Sequence, residues 1–458
     1  MKTSANFHKI YGRNQYLHPN ITNFMNSVPK IFLTFALIAL SSITVGQQVI
    51  SEQQRQDVDR ILNTLASDDM RGRSALTKDI EPAADFIAVE MKKIGLKPYA
   101  EESFRQTFQL DKLSPKSNVA TINKKAVPAE HVISLGNHVE LKWDEKSPVK
   151  VVYIASGADF SQAFREHSLS KENTLVLVDP SFEASFVRFS QMLNKPKFIE
   201  DPGAQKPSIV YLLTKEKPKT LHIHIERDLE HFPLFNVAGV IPGKSKPDEY
   251  VIFSGHYDHI GILPAVGQDS IANGADDDAS GVTAMLTLAD YYKKKNSNER
   301  TLIFVAFTAE ELGMYGSKYF SNHINADQVV AMINMEMIGK DSKFGPNSVY
   351  ITGYDHSDLG KLMQENLKNT TFKFYPDPYT KQNLFYRSDN AVLAAKGVPA
   401  HSFSTSQMDK DEYYHTVKDE VSTLNVQNII SSIEAIAIGT SGIVEGKQTP
   451  SRVEKLKD

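Results

Sequence analysis

The octapeptide SGHYDHIG (residues 254–261) follows the apolar run YVIF (residues 250–253). A run of that kind reads as a buried strand, yet it ends in two imidazoles and a carboxylate: His256, Asp258 and His259. One reading is a solvated turn. The other is a metal site at the carboxyl edge of a sheet, and the rest of the chain has to decide between them.

Working outward, the chain from Phe235 on alternates strands with helices. Strands are expected at FNVAGVIPG (235–243), YVIFSG (250–255), RTLIFVAFT (300–308), VVAMINMEMI (329–338), SVYITG (348–353) and VPAHSFS (398–404). Helices are expected at 279–295, 317–323, 357–369, 388–396 and 424–443. Near-continuous apolar strands between helices predict an α/β fold with a mixed, mostly parallel central sheet flanked by helices. Ligands of such sheets bind beyond the carboxyl ends of the strands, which is where the octapeptide falls.

Upstream, residues 52–99 carry helical periodicity. Val58, Ile61, Leu62 and Leu65 share one face; Ala83, Phe86, Ile87, Val89 and Met91 belong to a second segment that ends at Gly95. Between 106 and 218 the texture changes to short β-like runs, VKVVYIA, NTLVLVD and PSIVYLL, separated by Pro, Lys and Asn. This predicts an inserted β-rich module. The expected organisation is an N-terminal extension (1–46), a helical part (47–105), the insert (106–218), the main domain (219–445) and a polar tail (446–458).

Taken in order, the strand ends present His256, Asp258 and His259, then NGADDDASG (273–281), Glu310 and Glu311, Glu336, and His415 in DEYYHTVKDE. Singly each has an ordinary explanation: a hydrogen-bonded strand-end histidine, a helix N-cap, a solvated acidic loop. Together they gather many carboxylates at one sheet edge, which is costly unless a cation neutralises them. Two histidines and three carboxylates suit a pair of divalent ions sharing one bridging carboxylate, and another acid remains free to act as a base.

Bulk composition limits the alternatives. The chain has 458 residues, 41% hydrophobic and 23% charged, enough for a sizeable core. A net charge of −4 gives no basic face for nucleic acid. The run Lys293, Lys294 and Lys295 reads as a solvated helix end. There is no cysteine, so disulfides, thiolate zinc sites and a cysteine nucleophile are excluded. The apolar stretch IFLTFALIAL (31–40), preceded by Lys30 and followed by SSITVGQQ, has the layout of a secretory signal. Cleavage is expected after Gly46, with Met25 as an alternative start and a retained N-terminal anchor as the competing reading. The protein is therefore expected to be exported, periplasmic or secreted, with no stable membrane partner after cleavage.

The motifs SGHYDHIG, NGADDDASG, FTAEELGMYGS, INMEMIG and YYHT, in this order, resemble the co-catalytic zinc aminopeptidase family. That family includes secreted bacterial leucyl aminopeptidases, glutamate carboxypeptidases and the transferrin-receptor ectodomain. LASDDMRGRSA and IGLKP are similar to its N-terminal segment, and the insert resembles a protease-associated domain. The resemblance implies two zinc ions per chain with His256, Asp277, Glu311, Glu336 and His415 as ligands, Asp277 bridging. It implies Glu310 as general base and Asp258 as the acid that orients His256. It also implies a peptide after Asp277 that is often cis. Two positions depart from the family: Glu336 stands where relatives often have Asp, and Asn390 stands where relatives often read SDH and is given no metal role. The implied function is an exopeptidase removing N-terminal residues from peptides. A carboxypeptidase or dipeptidase using Arg387, a single-zinc glutaminyl cyclase, and a catalytically dead receptor-like protein remain as alternatives.

Overall fold

The computed structural model describes residues 49–100, 102–199 and 206–456; the expected signal segment lies outside them. Eight strands form the backbone of the large sheet: β1 (Arg105–Ile122), β2 (Leu221–Ile241), β3 (Lys246–His256), β4 (Arg300–Phe307), β5 (Val329–Met335), β6 (Ser348–Ile351), β7 (Lys373–Pro376) and β8 (Ala400–Ser404). Their spatial order is β7-β6-β8-β5-β3-β4-β2-β1. The central four, β8, β5, β3 and β4, pair in parallel, while β2 joins β4 antiparallel and β6 joins β8 antiparallel. The mixed, mostly parallel sheet expected from the sequence is present.

Its interior follows from the two-residue period of a strand. Val251 and Phe253 of β3, with Leu302 and Phe304 of β4, enter one apolar cluster; Ile252, Ile303 and Val305 enter the other. Both faces therefore need a cover. One is covered by α1 (Glu52–Leu65), α2 (Ile80–Ile94), α3 (Gly281–Lys295) and, further along the chain, the helix Val426–Gly439. On the other, Phe320 of α4 (Tyr315–Asn322) and Leu393 and Ala394 of α5 (Asn390–Ala395) are buried.

Helix α1 starts with a capping box: Ser51 Oγ accepts from the Gln54 amide at 3.3 Å, and Gln54 Oε1 accepts from the Ser51 amide at 2.8 Å. It buries Val58, Ile61, Leu62 and Leu65, as the periodicity predicts. Helix α2 buries Ala83, Ile87 and Met91, spaced by four, and ends at Gly95 with φ +83°. Val89, two residues from Ile87 and so on the opposite side of the helix, is 60% exposed. The expected long helix 424–443 is broken: Val426–Gly439 stops at Thr440 and a short turn, Ser441–Val444, follows.

Within 106–218, strands appear at Lys150–Ile154, Thr174–Val178 and Ile209–Leu213, each inside an expected run. They form a four-stranded sheet with Val132–Leu135. Two helices, Phe160–Ser168 and Glu183–Leu193, also lie here; the sequence reading had only strands. Their aromatic residues favour strands by propensity, but Phe160, Phe164 and Phe186 pack into one buried cluster with Tyr211. The segment is rich in strands and carries these two helices beside them. Strands β1 and β2 pair along their length from Arg105↔Val237 to Ile122↔Leu221, so the main sheet runs continuously toward this segment.

Candidate metal centre

All seven residues singled out from the sequence meet at the carboxyl edge of the sheet. His256 is the last residue of β3, and Glu310 and Glu311 follow β4. Glu336 directly follows β5. Asp277 lies in the bulged turn Ala275–Ser280 that leads into α3, and the Asp277–Asp278 peptide is cis. His415 lies beyond β8 with φ +56°.

These residues form two groups that share one carboxylate. In the first, His256 Nε2 lies 3.1 Å from Asp277 Oδ1 and 3.6 Å from Glu336 Oε1. In the second, His415 Nε2 lies 3.3 Å from Asp277 Oδ2 and 3.0 Å from Glu311 Oε2. Asp277 thus presents one oxygen to each group. His415 Nε2 is buried and close to two carboxylate oxygens, yet it makes a hydrogen bond with neither. Donors that converge without pairing fit a shared cation. Bonds of about 2.0–2.2 Å to a tetrahedral ion would separate its ligand atoms by roughly 3.3–3.6 Å, close to these spacings.

Three consecutive aspartates do three different things. Asp277 faces both groups. Asp278 is a brace: its Oδ2 accepts from the His256 amide at 3.2 Å, and its Oδ1 accepts from the Gly281 and Met337 amides, each at 3.1 Å. Although Asp278 lies close enough to His256 and Glu336 to be a fourth donor, both of its oxygens are already committed. Asp276 accepts from the Gly339 amide at 2.7 Å and sits 3.7 Å from Lys340.

Asp258 is placed at the centre, but its contacts differ from the expected ones. His256 Nδ1 contacts the Asp258 backbone carbonyl at 3.1 Å, whereas the carboxylate stands 3.8 Å from that nitrogen. The carboxylate instead accepts from the amides of Glu310 (3.1 Å) and Glu311 (3.4 Å). The tight turn after β4 points both N–H groups at Asp258, while a nearer carbonyl takes the imidazole. Asp258 thus braces the acidic pair.

Charge is concentrated and dry. Burial and the neighbouring carboxylates of Glu336 and Asp389 push Glu310 well above the usual carboxylate range, with His256 opposing. Burial would raise Asp277, but the imidazoles of His256 and His415 hold it well below that range. Burial would lower His415, yet Asp277 and Glu311 push it up to about 10. A pair of cations would offset this clustered negative charge.

Both departures from the motif pattern have a structural counterpart. Ser388 Oγ donates to Glu336 Oε2 at 2.6 Å, leaving Oε1 toward His256. Asn390 takes no part in the centre: its Nδ2 donates to the carbonyls of Phe385 and Ala400, and its Oδ1 accepts from Ser402 Oγ.

Other contributors escaped the sequence reading. Asp419 accepts from the amides of Asp276 and Asp277 at 3.0–3.1 Å, fixing the turn that carries the shared carboxylate. Arg73, from the N-terminal motif, is fully buried and donates to the carbonyls of Tyr257, Leu65, Asn273 and Gly274, tying the His256 and Asp277 loops together. Beside the centre opens a cleft lined by Asp277, Glu310 and Glu336 and also by Tyr350, Arg387 and Tyr414. The Tyr414 ring stacks on His415 at 3.9 Å.

Comparison with known proteins agrees with this geometry. Residues 236–438, just under half the chain, match the model of Peptidase family M28. A probable leucine aminopeptidase of Arthroderma otae is 28% identical over 222 residues, 46% of this chain and 58% of that protein. A probable zinc metalloprotease of Pyrenophora teres f. teres is 32% identical over 155 residues, 32% of this chain and 31% of that protein. The match thus spans less than two thirds of either relative. Among solved structures, the aminopeptidase from Aneurinibacillus sp. strain AM-1 has a TM-score of 0.50 at 16% identity, covering 88% of this chain and 95% of that one. BSAP, a zinc aminopeptidase from Bacillus subtilis, has a TM-score of 0.50 at 14% identity, covering 86% and 96%. These two show a common fold. The matched region, residues 236–438, holds all the candidate ligands and is similar to Peptidase family M28, in keeping with the motif resemblance.

Proposed function

We propose that this chain is an exported metallo-aminopeptidase that holds two zinc ions. His256, Asp277 and Glu336 would hold the first, and Asp277, Glu311 and His415 the second. The observation that carries this reading is the Asp277 carboxylate, split between two groups, with His415 Nε2 buried and unpaired between Asp277 and Glu311. When bound, such ions make water acidic near neutral pH and polarise a carbonyl group. Glu310 lines the cleft and, in its carboxylate form, takes the proton of the attacking water and returns it to the leaving amine. Asp258 holds Glu310 in place through its backbone amide. The leucine aminopeptidase relative supports peptide substrates with a free N-terminus. The signal-like segment at 31–40 supports export, and the insert is proposed as a protease-associated module.

One observation favours a second reading. Arg387 is exposed in the cleft and has no carboxylate partner among the described residues. It could receive a substrate carboxylate, as a dipeptidase or carboxypeptidase requires. Peptides with free, N-acetylated and C-amidated ends separate the two. Cleavage that tolerates C-amidation and fails on N-acetylation is expected; the reverse pattern refutes the aminopeptidase direction. Glu310→Gln should lose at least about a hundredfold in turnover, within the range of a general base, while retaining its metal. Normal hydrolysis by that variant would refute the role given to Glu310.

A further inference from the structure

His259, the second imidazole of the octapeptide, is absent from both groups described above. It is 1% exposed, and its Nδ1 lies 2.9 Å from Glu311 Oε1 in hydrogen-bonding geometry. Its Nε2 is buried and has no hydrogen-bond partner among the described residues. With the Glu311 carboxylate as the ring's hydrogen-bond partner among the described residues, the proton belongs on Nδ1, which donates to Glu311.

The ring is locked in that pose. Gly274, at φ +56°, lies flat against it, and a Cβ there would overlap the imidazole carbons. The His259 amide donates to the Arg73 carbonyl at 3.2 Å, and the strand-like bridge Ser74↔His259 fixes the backbone. The ring meets His415 edge-on, with centroids 5.7 Å apart. Glu311 is therefore held by one oxygen, while its other oxygen, Oε2, faces His415 and the shared Asp277.

We propose that His259 is a positioning residue for Glu311: its Nδ1–H ties up Oε1 and makes Glu311 a one-oxygen donor to the second ion. This rests on the two-ion reading. His259, Asp277 and Glu311 are close enough together to hold an ion themselves, but Nδ1 is already hydrogen-bonded to Glu311 and stands 3.8 Å from Asp277 Oδ2, against 3.3 Å for the His415 nitrogen, which favours a role on the carboxylate.

The test uses the full chain stripped of metal, titrated with zinc by calorimetry and in parallel with cobalt(II), read by paramagnetic proton NMR. Wild type should bind two ions. His259→Ala should weaken one step by about 10- to 100-fold, the usual cost of losing a partner of a ligand, and leave the other within about twofold, which also reports an intact fold. His259→Asn should recover most of the loss, because its amide nitrogen sits where Nδ1 sat. The cobalt spectrum should show two imidazole N–H resonances, from His256 and His415. Unchanged titration by His259→Ala, no recovery by His259→Asn, or a third imidazole resonance would overturn the proposal. A wild-type chain that takes up one ion or none overturns the two-ion reading itself.

Discussion

Asp258→Asn separates the contact seen here from the one the motif suggests. The Asp258 carboxylate is fully buried and receives two backbone amides, from Glu310 and Glu311. An asparagine offers one acceptor oxygen and one donor group, so one of those N–H groups faces another donor. Leaving a buried donor unpaired costs about 1–3 kcal/mol. If that cost falls on the placement of the base, turnover drops by about 5- to 150-fold, at about 1.4 kcal/mol per tenfold. Initial rates on a leucyl anilide, with metal content measured on the same samples, check this. The expected result is a lower kcat with both ions retained. A variant within twofold of wild type in kcat would refute the bracing role. Selective loss of the ion beside His256 would instead show that Asp258 works through that histidine.

Two further outcomes follow from groups away from the ligands. His401 is buried, accepting from Ser357 Oγ and donating to the Thr352 carbonyl, each at 2.7 Å; burial, with His356 adding to it, lowers its pKa to about 4. Its folded pKa lies below the unfolded value of about 6.5, so its stabilisation is complete above that pH and is lost as pH falls toward 4. The slope is at most about 1.4 kcal/mol per pH unit, or about 3 kcal/mol over the window. Urea denaturation of His401→Gln should show a shallower loss between pH 6.5 and 4 than wild type, and equal slopes would refute the assignment. Arg73→Met removes four hydrogen bonds from a fully buried guanidinium. It should cost at least about 3 kcal/mol in the same assay, and a loss below about 1 kcal/mol would show that the two loops hold without it.

Much of the architecture can be read along the chain because it is local. An apolar run such as 302–307 must be covered on both faces, and polar residues at its end must sit at the sheet edge. Those two facts placed His256, the acidic pair, Glu336 and His415 together before any coordinates. The failures were also physical. The expected single helix over 424–443 instead stops at Gly439 and is followed by the short turn Ser441–Val444. The helices of the insert are held by an aromatic cluster that joins Phe160, Phe164 and Phe186 to Tyr211, a partner distant in sequence.

The order of the motifs determined which elements converge and which residue types meet at the edge of the sheet. The motif resemblance already pointed to Asp277 among the three aspartates; only the tertiary structure showed what holds each of them in place, namely amides from Gly339, Met337 and Gly281 and the carboxylate of Asp419. It also turned Asp258 from His256 to the Glu310–Glu311 turn, and set His259 against Glu311. Hydrogen bonds between loops far apart in the chain leave no periodic trace in the sequence, so their partners appear only once the chain has folded.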